Sequence, residues 1–92
     1  MQIKQIEQES ESLFIAIENG MEAGRICYSW SAKGALIINH TEVHPEFKGK
    51  GIGNKLVFFV VEFARKNNIT IVPVCDFAKS IFDKTHHLRD VL

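Results

Sequence analysis

From Val43 to Lys55 the chain reads Val-His-Pro-Glu-Phe-Lys-Gly-Lys-Gly-Ile-Gly-Asn-Lys. Glycine at 49, 51 and 53 strips the side chains from a turn, and apolar residues at helical spacing begin at Ile52. A bare turn that opens into a helix can aim several free backbone N–H groups at one point, where the helix dipole adds partial positive charge. Lys48, Lys50 and Lys55 bring full positive charge to the same end. The chemistry open to such a segment is anion binding, with a phosphate or pyrophosphate the fitting occupant. Two familiar phosphate loops are excluded by spacing. A Walker A loop counted from Gly49 needs glycine at position 54, which is Asn, and Ser or Thr after Lys55, where Leu56 stands. The dinucleotide fingerprint also asks for glycine where Asn54 sits, and no tight strand–helix–strand unit starts the chain.

The elements that must position this loop can be read on either side of it. Ile3 to Gln8 reads as a short edge strand or a frayed lead-in. Leu13 to Ile17 is rich in strand formers, and Asn19-Gly20 after it is a strong hairpin signal. The returning strand runs from about Glu22 to Ser31, with Ile26, Tyr28 and Trp30 on one face and Cys27 and Ser29 on the other. Ala32-Lys33-Gly34 makes a second turn, and Ala35 to Val43 a third strand. Such an antiparallel meander buries one face. After the loop, Ile52, Leu56, Phe59, Val60, Phe63 and Ala64 follow helical spacing. Val57, Phe58 and Val61 widen that stripe, which predicts deep burial or a covering partner, and self-association as a homodimer is the expectation to test. Asn67-Asn68 ends the helix. Ile69 to Val74 is a short strand expected to lie parallel to the one before it, and Asp76 is placed to cap a last helix from Phe77 to about Thr85. The fold class is α/β: a meander, a crossover helix, one parallel strand and a short C-terminal helix, in a single domain spanning 1–92.

Ninety-two residues allow one modest core. Eleven basic and eleven acidic residues cancel, so overall charge points neither to nucleic acid nor to an anionic membrane. The distribution is uneven: residues 1–22 hold five acids against Lys4, and residues 48–66 hold five bases against Glu62. Two cysteines make no disulfide framework, the segment Met1 to Ser12 is polar, and no run approaches a membrane span. A cytoplasmic, reducing setting is the expectation.

The order strand–Pro45–Phe47–Lys48–Gly49–x–Gly51–x–Gly53–helix resembles the acetyl-CoA motif of the GNAT superfamily of N-acetyltransferases, (Arg/Gln)-x-x-Gly-x-(Gly/Ala). Lys48 stands where Arg or Gln is usual and keeps the donor. His40-Thr41-Glu42-Val43 before the loop and Val72-Pro73-Val74-Cys75 after it resemble a short, single-domain GNAT-like family, without the closing strands of longer members. That resemblance implies acetyl-CoA as cofactor, lying where the strand ending at Val43 and the strand after the helix splay apart. It implies that the pantetheine arm pairs with backbone at Thr41 and Val43. The pyrophosphate would meet Lys48, Gly49, Lys50, Gly51, Ile52, Gly53 and Asn54, with Phe77 and Lys79 of the last helix completing the cofactor site.

Acyl transfer to an amine needs a base that works near neutral pH. His40 and Glu42 lie two apart and share a face of a regular strand, unless a bulge separates them. His40 is the stronger candidate because histidine titrates nearest neutrality. Cys75, before a helix start, has three roles open: proton donor to the leaving thiolate, covalent acceptor of acetyl, or packing. Cys27 reads as core, His44 as a loop surface residue and Tyr28 as no general acid. Cys75 with His86-His87 lacks zinc-ligand spacing, so no metal is expected. The reading is an acetyl-CoA-binding protein that moves acetyl to a primary amine not identifiable from sequence. Its alternatives are a coenzyme A-binding module without turnover and a small interaction subunit.

Overall fold

Asn19 and Gly20 both take positive φ, 52° and 75°, the pairing whose twist matches that of the strands it joins. They link β2 (Ser12–Glu18) to β3 (Met21–Trp30) in a computed structural model that describes all 92 residues. β1 (Gln2–Ile6) pairs antiparallel with β2, and β4 (Leu36–Val43) pairs antiparallel with β3. A 3-10 turn over Pro45–Phe47 precedes α1 (Ile52–Asn67), which crosses to β5 (Ile71–Pro73), parallel to β4. Spatial order follows chain order, β1-β2-β3-β4-β5, in one mixed sheet. α2 (Asp76–Lys84) and a 3-10 turn over His86–Val91 complete the chain. The expected class and element order hold. β1 is a paired edge strand, and β5 is shorter than the apolar run 69–74 suggested, because only three residues find register on β4. No helix is long and apolar enough to cross a membrane.

One face of the sheet carries the core. Phe14, Ile26, Tyr28, Leu36 and Ile38 pack against Leu56, Val57, Val60, Val61 and Ala64 of α1, with Ala78, Ile81 and Phe82 from α2. Truncating one of the larger aliphatic members, as in Leu56→Ala, should cost about 2–5 kcal/mol. Of the two explanations open for the wide apolar stripe of α1, deep burial accounts for most of it. Val57 and Val61 are fully buried within the chain, because α2 and the last 3-10 turn flank α1 and cover more of its circumference than the sheet alone would. Only Phe58 of that trio stays open, at 42%, and Phe59, read as core, is equally open at 40%. The proposed dimer face is thus reduced to exposed phenylalanines. Cys27 is corrected too: it is half-buried, paired with Leu13 and His40 and outside the core, on the sheet face that the helices do not cover.

Two irregularities in pairing shape the functional end. One lies in β3, where Ala23 is the extra residue between Glu22 and Gly24. The other lies in β4, where Tyr28 faces Ile38 and Cys27 faces His40, leaving Asn39 as the extra residue. A bulge of this kind reverses the alternation of side chains beyond it. Leu36 and Ile38 lie under the helices before it; Thr41 and Val43 take that side after it, and His40 and Glu42 face away.

Candidate functional site

The parallel pairing of β4 and β5 ends at Ile38 opposite Pro73. The N–H groups of Val74 and Cys75 both donate to the Ile38 carbonyl, at 3.0 and 3.2 Å. The chain then turns away into α2, while β4 continues to Val43 with no neighbour on that side. The result is a wedge, open toward the glycine loop. Across it the Thr41 hydroxyl lies 3.3 Å from Cys75 Sγ. Cys75, not Asp76, caps α2: its backbone is extended and its sulfur accepts the N–H of Ala78 at 3.4 Å. Asp76 already has helical backbone, so its carboxylate serves the first turn rather than the cap.

At the loop, Gly49 and Gly51 have φ of 81° and 73°, the left-handed region that side chains disfavour. Gly51 precedes α1 directly, no side chain caps the helix, and no acid stands in its first turn. The amides of Ile52, Gly53 and Asn54 therefore have no intrahelical acceptor and no capping side chain. Gly53 is required for a different reason: a Cβ there would overlap the Phe77 ring, which α2 lays over the first turn of α1. These residues surround a hollow of about 270 Å³ whose remaining walls are Val43, Phe47, Lys48 and Gly49. Amide donors, one lysine and two aromatic rings suit a phosphate ester with a flat or apolar body, so the donor set fits the group the motif implies.

Most of the expected cofactor residues meet at this hollow: Val43, Lys48, Gly49, Gly51, Ile52, Gly53, Asn54 and Phe77. Thr41 lies deeper in the wedge, at Cys75. Lys50 stands outside the lining, its Nζ 5.5 Å from the centroid of the Phe47 ring. Lys79 is exposed on α2 and does not reach the hollow. Phe47, named in the motif but not as a contact, forms part of the wall. His40 and Glu42 do share a face, with Nε2 and Oε2 3.7 Å apart, but the bulge puts them on the side of β4 away from Thr41 and Cys75. Tyr28 is fully buried, its hydroxyl held by Gln5 and Glu7. No three His, Cys, Asp or Glu side chains converge as metal ligands.

His44 lies in the loop and is part-exposed, as expected, but it is tied down. Its Nε2 lies 2.7 Å from Glu22 Oε2, and the Arg25 guanidinium grips the same carboxylate at 2.9 and 2.6 Å. Arg25 holds the Glu22 carboxyl below its ordinary range, and Glu22 in turn pushes the guanidinium up. Linear spacing carries no signal for this cluster, since residues 22 and 44 meet only through strand register. Burial pushes the Cys27 thiol up. A second hollow, about 300 Å³, lies at the other end of α1 beside Arg65, Asn68 and Asp90. That helix end is closed by the Asn68 N–H on the Ala64 and Arg65 carbonyls and offers an anion no free amides.

Comparison with known proteins bears on this geometry. The family described as GCN5-related N-acetyl-transferase matches residues 13–91. Among curated proteins none matches. A GCN5-like protein from Staphylococcus aureus, solved by NMR and classed as an N-acetyltransferase, is 36% identical with a TM-score of 0.71. The match covers 98% of this chain and 85% of that one. A ribosomal-protein-alanine N-acetyltransferase from Brucella melitensis biovar Abortus 2308 is similar at 17% identity and a TM-score of 0.70, over 85% of this chain and 62% of that one. A predicted acetyltransferase from Clostridium acetobutylicum, solved with acetyl-CoA, is similar at 19% identity and a TM-score of 0.58, over 80% and 55%. The last two likenesses speak for the fold alone.

Proposed function

The chain belongs to the GCN5-related N-acetyltransferase family, and from that premise and the site's geometry we propose that it binds acetyl-CoA and transfers the acetyl group to a primary amine. The observation that carries the reading is the uncapped start of α1, bare of side chains from Gly51 to Gly53 except Ile52, facing a wedge that β4 and β5 leave open. The pyrophosphate is the anion for the amides of Ile52, Gly53 and Asn54, with Lys48 and Lys50 supplying charge. From Thr41 to Val43, the edge of β4 turned away from β3 offers backbone hydrogen bonds to the pantetheine arm and polarises the thioester carbonyl.

In the transfer, the amine nitrogen bonds to the carbonyl carbon, the carbon–sulfur bond breaks, and the departing thiolate takes a proton. Cys75 lies on the wedge side with Thr41 at its sulfur, and in this reading it gives that proton or accepts acetyl itself. His40, with Glu42 beside it, faces the opposite side of β4, where it can strip the ammonium proton of an incoming amine directly or through water. Both cysteines are free thiols, which suits a reducing cytoplasm. The test is acetyl-CoA consumption with simple amines, polyamines and lysine peptides. Turnover with any of them supports transfer. Saturable binding of coenzyme A without turnover leaves a cofactor-binding module, and no binding at all overturns the reading.

A further inference from the structure

The anion loop leaves the sheet at His44 and rejoins the body at Ile52, and both ends rest on the same short piece of β3. The His44 N–H donates to the Ala23 carbonyl at 2.9 Å, and its ring meets Glu22 at 2.7 Å. Glu22 does not move freely, because Arg25 forks onto both its oxygens. At the other end, Ile52 reaches Gly24: a Cβ on Gly24 would stand 3.2 Å from Ile52 Cγ2 and 2.6 Å from the Glu42 carbonyl. The extra residue Ala23 lets Ala23 and Gly24, both buried, follow one another here. Immediately downstream, the Phe47 N–H donates to the His44 carbonyl at 2.9 Å, and the Phe47 ring is buried as a wall of the hollow.

We infer that Glu22–Arg25 is the seat of the glycine loop, and that His44 is a positioning residue that fixes the loop before its ligand arrives. Donors that are backbone amides hold a ligand only as firmly as the backbone is held, and ordering them at binding subtracts from affinity. A half-exposed ion pair adds little to global stability, so its effect is expected at the loop and not on the whole fold. The charged groups around His44 are Glu22 and Arg25 on β3, with Glu42 of β4 near Arg25. The consequence for acetyl-CoA rests on the function proposed above; the seat itself does not.

The test uses the full chain with His44→Ala, His44→Gln and Glu22→Ala, followed by amide exchange, thermal unfolding and calorimetry with coenzyme A. In His44→Ala, exchange at the amides of residues 44 and 47 should quicken about tenfold and coenzyme A should bind about tenfold more weakly. Core amides at Phe14 and Ile26 should keep their protection. His44→Gln, whose amide can still donate to Glu22, should restore most of both, and Glu22→Ala should reproduce the loss. Unchanged exchange at residues 44 and 47 in His44→Ala overturns the inference, as does a Gln variant as loose as the Ala one. Should the unaltered protein bind no coenzyme A while the exchange contrast appears, the seat stands and the proposed function falls.

Discussion

α1 and α2 begin at the rim of the same wedge, and they begin in opposite ways. α2 starts with a capping side chain, Cys75, on the Ala78 amide, and with Asp76 set against the dipole in its first turn. α1 has neither device: Gly51 in left-handed conformation, no side chain on its amides, no first-turn acid. A cap contributes about 1 kcal/mol, so α1 forgoes that much local stability. It tolerates the loss because Leu56, Val57, Val60, Val61 and Ala64 are fully buried, and packing rather than end effects supplies most of a helix's stability in a folded protein. The far end of α1 is sealed by Asn68, and Arg65 there is held by Asp90, each drawing the other further into its charged form. Of these ends, only the one beside the glycines leaves its polar groups for a ligand to satisfy.

The harshest way to break the contrast is to fill the open end. Gly51→Val and Gly53→Val should each lower coenzyme A affinity on the order of 10²-fold or more, the first through its backbone angle and the second by displacing the Phe77 ring. Lys50→Ala should only weaken binding, because its charge is exposed and stacked on Phe47. Calorimetry with undiminished affinity in both valine variants would falsify the loop assignment.

Altering the capped end should have the reverse profile. In Cys75→Ser the hydroxyl can cap α2, so fold and coenzyme A affinity should hold while any transfer rate falls on the order of 10²-fold. Alkylation should strike Cys75 before Cys27, whose thiol burial pushes up, and acetyl-CoA should protect Cys75. Labelling of Cys27 first, or no protection, would reduce Cys75 to packing.

A subtler change makes the two ends alike. Asn54→Asp gives α1 the first-turn acid that α2 has, which should stabilise the helix by about 0.3–1 kcal/mol. The same charge faces the anion, so affinity for coenzyme A should drop about tenfold. Thermal unfolding and calorimetry moving in opposite directions is the expected result; tighter binding would mean that no anion sits there.

The smallest effect concerns the seat. Glu22 has a folded pKa below its ordinary 4.5, so its contribution to stability is present above that pH and is lost as pH falls through the folded value. Acid unfolding should therefore be steeper below pH 4.5 in the unaltered protein than in Glu22→Gln, by only a few degrees in melting temperature, because the pair is partly exposed.

What the amino-acid sequence determined by itself is whatever depends on neighbours along the chain. Positive φ at Asn19-Gly20 sets the hairpin, Gly49 and Gly51 allow the left-handed turns of the loop, and Asn68 in left-handed conformation ends α1. Such preferences are local, so the anion site, the crossover helix and the family resemblance were legible before any fold. The tertiary structure decided what depends on register and coverage. No local pattern marks Asn39 as the bulge that turns Thr41 toward the helices and His40 away from them, or shows that Val57 and Val61 would be buried within the chain while Phe58 and Phe59 stay open. Nor does any spacing foretell that His44 would find Glu22, since that contact exists only once β3 and β4 are paired and the chain has returned across the sheet.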